Sequence, residues 1–154
     1  MIGIKKFATR MFFIASLTVL LVCSASAQAT RNTDVSNRIE LLIKGAGRTY
    51  VATGTGTWVI DTPKGKMLIA AADTFVVAGF IIAPKTAVPK TETGLLKLLS
   101  LNHSIDFAKV GTDDDGDLFL RSELPFKLLD QAAFNEMLTN LINNFDMVKN
   151  AITP

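Results

Sequence analysis

His103 is the only histidine among the 154 residues, with Ser104 and Asp106 beside it, so any chemistry that needs an imidazole must run through this stretch. Neighbours along a loop rarely reach the geometry of nucleophile, base and orienter. A histidine just after Leu101-Asn102 reads first as the end of a helix, where a cation suits the dipole. Asp113, Asp114, Asp115 and Asp117 place four carboxylates in five residues, the hard oxygen ligands that calcium takes. The EF-hand register fails, however. With Gly116 at the loop glycine, Gly111 falls at the first ligand position and Ser122 at the twelfth, where a bidentate Glu belongs. Aspartates around a glycine suit a tight turn, because their carboxylates accept from nearby backbone N–H groups. Glu123 and Asp130 could be imagined as a glycosidase pair, but one ends a strand and the other is placed to cap a helix. Gly45-Ala46-Gly47 and Gly54-Thr55-Gly56 lack the strand before, the helix after and the Gly-Lys-Ser/Thr of a phosphate loop. No catalytic or metal-binding residue and no cofactor is assigned, and the expectation is a protein that is not an enzyme.

The N-terminus says where the chain works. Lys5, Lys6 and Arg10 precede an apolar run from Met11 to Val22 and the small residues Cys23 to Ala27, the pattern of a secretory signal peptide cut before Gln28. The run is too short for the roughly 20 residues of a membrane-spanning helix. A periplasmic or secreted protein without a stable membrane anchor is expected. Cys23 is the only cysteine and follows Leu21-Val22 rather than the small residue a lipoprotein needs, so the mature chain carries no thiol. That excludes cysteine nucleophiles, disulfides and Cys-based zinc. Cleavage leaves 127 residues, enough for one core, with 13 basic and 14 acidic side chains and no basic cluster. Neither nucleic acid nor anionic lipid is supported as a partner.

After a short polar linker (residues 28–33), a single domain is expected over residues 34–150. Val35, Ile39, Leu42 and Ile43 mark one face of a helix with Asp34 as its N-cap and Gly45 and Gly47 as its stop. Tyr50-Val51, Thr57 to Asp61 and Met67 to Ala72 read as a meander of short strands. A loop from Ala83 to Lys90 leads to a leucine-rich helix, Thr91 to Leu101. Ile105, Phe107 and Val110 then alternate ahead of Leu118 and Leu120, with Asp115-Gly116 as the hairpin turn. Finally Phe134, Leu138, Leu141, Phe145 and Val148 step by four, three, four and three behind Asp130. The fold class is α+β, an antiparallel sheet with flanking helices in the order α-β-β-β-α-β-β-α.

The most apolar stretch of the mature chain is Phe75 to Ala83, which has no polar face and should be covered on both sides. Either the domain's own helices bury both faces, or one face waits for a second subunit or a bound protein segment. In the second case Phe75, Val77 and Phe80 are the candidate partner-binding residues. A carrier holding a small apolar ligand between the sheet and the last helix is the alternative.

A resemblance joins these pieces. Leu98-Leu99-Ser100-Leu101-Asn102, then Phe107-Ala108-Lys109-Val110-Gly111, then the acidic hairpin from Asp113 to Asp117 and the strand closing on Glu123-Leu124-Pro125 resemble the YbjN family, over roughly Thr91 to Val148. The stretch Thr53 to Thr57, rich in Thr and Gly, departs from that pattern. The resemblance implies the fold of type III secretion chaperones, often dimeric, binding protein segments on apolar surface. Those chaperones are cytoplasmic, so a signal peptide leaves a chaperone-like or adaptor-like domain of undefined client.

Overall fold

The computed structural model describes residues 33–152. Internal contacts divide the chain after Asn37; of residues 1–37 only 33–37 are described, and they are helical. The residues read as a signal peptide, with Cys23, and nearly all of the expected linker lie outside the described residues.

The first helix, α1, is described over residues 33–45, and Asp34 lies inside it instead of capping it. Its end is well defined. Gly47 takes φ +65°, its N–H bonds the Lys44 carbonyl at 2.9 Å, and the Arg48 N–H bonds the Ile43 carbonyl at 3.3 Å. This is a Schellman close, which places glycine where a side chain would be strained. Four strands follow: β1 (Tyr50–Gly54), β2 (Thr57–Thr62), β3 (Gly65–Ala71) and β4 (Phe75–Ala83). Then come α2 (Glu92–Ser104), β5 (Lys109–Thr112), β6 (Leu118–Pro125), a 3-10 turn (Phe126–Leu128) and α3 (Gln131–Ile152). Four strands, where the sequence suggests about three, precede α2, because Phe75–Ala83 joins the meander. Thr91 caps α2 and Asp130, as expected, caps α3, their side chains accepting from the N–H groups of Gly94 and Ala133.

Every neighbouring strand pair is antiparallel, in the order β1-β2-β3-β4-β6-β5. Alternation divides the side chains between two faces. Trp58, Ile60, Met67, Ile69, Val76, Ala78, Phe80, Leu118 and Leu120 point to one face and are buried there. α3 lies on this face with Phe134, Leu138, Leu141, Phe145 and Val148, and the Phe145 ring meets Phe80 edge-on at 4.9 Å. α1 adds Ile39, Leu42 and Ile43 to the core. The Arg38 guanidinium donates to the Leu129 carbonyl, and Gln131 Nε2 donates to the Leu42 carbonyl at 3.0 Å, so α1 is tied to the segment that opens α3.

Glu40 fixes α1 to the first two strands. Its two oxygens accept from Trp58 Nε1 and Tyr50 OH, each at 3.1 Å. The Trp58 bond, then the Tyr50 bond, hold its carboxyl below its ordinary value. A depressed folded-state value means the stabilisation is present above roughly pH 4–5, the ordinary glutamate range, and is lost as pH falls through the lower folded value. Trp58 is the only tryptophan and reports directly. Acid titration of wild type is expected to change Trp58 fluorescence in that window, and Glu40→Gln should flatten the change; identical titrations would show that Glu40 is not the group responsible.

Candidate functional site

The opposite face of the sheet carries none of the described helices, and it too is largely apolar. Register sets one continuous row across all six strands: Val51, Val59, Leu68, Gly79, Arg121 and Lys109. Opposed residues in an antiparallel sheet share a face, so these six lie side by side. Val51 is 64% exposed and Leu68 48%. On the flanking rows Thr57, Ala70, Val77 and Glu123 align, as do Ile81, Phe119 and Gly111. Ile81 is 57% exposed.

Gly79 at the centre of the row is required by close approach. A Cβ there would stand 2.7 Å from the Leu120 carbonyl oxygen and 2.8 Å from Arg121 Cβ. Arg121 stacks its guanidinium over the Phe119 ring at 4.6 Å and meets Glu123 at 3.3 Å, while Lys109 meets the other Glu123 oxygen at 3.4 Å. Along this row the face therefore grades from aliphatic on β1 to β3 to cationic on β6 and β5, with the exposed Asp61–Lys66 ion pair beside its aliphatic part.

The three candidate partner-binding residues separate. Phe75 and Val77 are half-buried on the open face. Phe80 has the opposite parity and is 2% exposed beneath Phe145, so it belongs to the core and cannot touch a partner in the folded protein. Nor is β4 covered on both sides by the described helices, since its odd-numbered side chains face away from α3. A register shift between Ile81 and Ala83 then turns Ala83 back into the core.

A second exposed apolar area escaped the sequence reading. Of the leucines of the leucine-rich helix α2, only Leu98 is buried, while Leu95, Leu96 and Leu99 are exposed. Phe107, expected to alternate inward, adopts φ +59° and is 78% exposed, its carbonyl accepting from Ser122 Oγ at 2.5 Å. An aromatic residue in the left-handed region is strained, and the Ser122 bond holds it there. Composition gives no cue to that backbone turn.

The other chemical candidates take structural places. His103 is exposed in the last turn of α2 and makes no hydrogen bond to Ser104 or Asp106 among the described residues. Asp113 Oδ1 accepts from the Asp117 N–H at 2.8 Å and Asp117 Oδ1 from the Lys85 N–H at 2.9 Å, so these two aspartates fasten the hairpin. No group of three or more His, Cys, Asp or Glu able to hold a metal ion occurs among the described residues. Glu123 and Asp130 are occupied by the β5–β6 ion pairs and the α3 cap. Between α3 and the sheet the Phe80 and Phe145 rings are in contact. A half-open cleft of about 530 Å³ lies where α2, β5 and β6 meet the first turns of α3, bordered by Phe107, Arg121, Glu136 and Met137.

No protein-family model and no curated protein sequence matches the chain. Solved structures do. A chain of the ExoU–SpcU complex from the type III secretion system of Pseudomonas aeruginosa superposes with a TM-score of 0.60 at 18% identity, covering 73% of this chain and 96% of that one. The HopA1–SchA chaperone–effector complex gives 0.60 at 12%, covering 79% and 97%. The Yersinia pestis type III secretion chaperone SycH, in complex with a fragment of YscM2, gives 0.55 at 17%, covering 73% and 98%. The fold is that of the type III secretion chaperones, an α+β sheet-and-helix domain.

Proposed function

We propose that this protein is a non-enzymatic, chaperone-like or adaptor-like domain that binds a protein segment, or a second copy of itself, on the open face of its sheet. The observation that carries the reading is the row of aliphatic side chains on β1 to β3, continued by Val77 and Ile81, on a face that no described helix covers. Apolar surface of this continuity marks interaction sites in soluble proteins. The solved relatives in fold are chaperones held with protein partners, which supports the same use here. Residues 1–27 support an exported protein, working in the periplasm or outside the cell, and the hairpin resemblance supports an exported member of the YbjN group. Phe75 and Val77 remain candidate contacts, joined by Leu68 and Ile81.

The test uses the mature chain from Gln28 onward and a Leu68→Glu/Ile81→Glu variant with an unchanged circular dichroism spectrum. Both are incubated with envelope extract, and the solution mass of each is measured. A bound protein or a dimer in wild type, lost in the variant, is the expected result. A monomer that captures nothing, or a partner retained equally by both, would overturn the reading.

A further inference from the structure

We infer that the open sheet face is built for one kind of occupant: an extended protein segment whose apolar side chains are followed, at one end, by acidic ones. The inference rests on the protein-binding reading above and specifies the partner. Its basis is the six-membered row. Strands stand about 4.8 Å apart, so the row is roughly 24 Å long, the span of about seven extended residues. Every second side chain of such a segment points down, giving three or four contacts. Val51, Val59 and Leu68 present aliphatic surface to the first of these, Gly79 leaves the row without a side chain at its middle, and Arg121 and Lys109 close it with cations.

The cationic end is incompletely neutralised. Glu123 is shared, one oxygen to each cation, at 3.3 and 3.4 Å. Among the described residues both cations pair with Glu123, and Glu136, which borders the neighbouring cleft from α3, is not among their ion-pair partners. Arg121 also lies over the Phe119 ring, and its side chain is 44% exposed, within reach of a further carboxylate. A second copy of this chain is the poorer occupant, because a two-fold axis that reverses the row sets Lys109 and Arg121 over Val51 and Val59. Charge complementarity calls for a partner of opposite gradient.

The probes are fluorescein-labelled peptides of leucines alternating with serines that end in two glutamates or in two lysines, each made with the charged end at either terminus. Anisotropy is measured on the mature protein, on Arg121→Gln, on Arg121→Glu and on Leu68→Glu. Binding of a glutamate peptide about tenfold tighter than its lysine counterpart is expected. The preference should shrink in Arg121→Gln, reverse in Arg121→Glu and fade with salt. Equal binding of the two peptides, or binding by neither, would overturn the inference. Equal binding that Leu68→Glu abolishes would leave the protein-binding reading standing, whereas that reading falls if the envelope pull-down is also indifferent to Leu68→Glu/Ile81→Glu.

Discussion

Phe80→Ala is expected to destabilise the protein by about 3–5 kcal/mol, while Ile81→Ala, one residue along, costs about 1 kcal/mol or less. Phe80 is 2% exposed and makes the edge-on contact with Phe145, so truncation leaves a cavity between β4 and α3 that neither can easily close. Ile81 is 57% exposed on the other face and leaves only solvent-facing space. Thermal unfolding decides the matter, since the first change should lower Tm by on the order of 10 °C or more. Equal shifts for the two would mean that β4 is covered on both faces in solution. Phe145→Ala, which empties the other half of the contact, should fall in the class of Phe80→Ala and add less than fully to it, because the two rings touch.

Asn102→Ala is expected to cost about 2 kcal/mol and to make the protein associate with itself as its concentration rises. Asn102 Oδ1 accepts from the Val110 N–H at 2.7 Å, and its Nδ2 donates to the Val110 carbonyl at 3.0 Å. One side-chain amide thus stands where a further strand would, satisfying an outward-facing donor and acceptor of the edge strand β5. Removing it leaves a bare edge of the kind that recruits other chains. Asn102→Asp keeps the acceptor and loses the donor, and should fall between. Solution mass over a range of concentrations checks the claim; a monomeric, fully stable alanine variant would show that water serves Val110 equally well.

Periodicity carried most of the fold. The steps of four and three from Phe134 to Val148, the glycines that break up residues 45–65 and the Asp115-Gly116 turn were enough to place α3, the meander and the last hairpin. Their hydrogen bonds and apolar contacts are local, and sequence spacing records local geometry well. Which faces end up covered was less legible, because an apolar strand reads the same whether its cover is its own helix or another molecule. Parity alone would have separated Phe80 from Phe75 and Val77, since residues an odd number apart on a regular strand point to opposite faces. The exposed leucines of α2 and the left-handed Phe107 depend on how α2 meets β5 and α3, a tertiary matter that spacing does not encode. The cation end of the open face became visible only when register aligned Arg121 and Lys109 with Leu68 and Gly79.

The place of β6 in the sheet bears on how the chain is made. β4 is laid down early, yet one of its two edges is paired by a strand that follows α2, β5 and the acidic hairpin. Until Leu118 to Pro125 has been synthesised and docked, the most apolar strand of the sheet is an uncovered edge in a partly formed sheet. Pairing across that sequence gap is slow compared with closing the meander, and an exposed edge in the interval invites misassembly. The C-terminal segment therefore does for the nascent protein what a partner does for a finished one. A chain truncated before β6 should accumulate as aggregate even though every residue of the meander is intact.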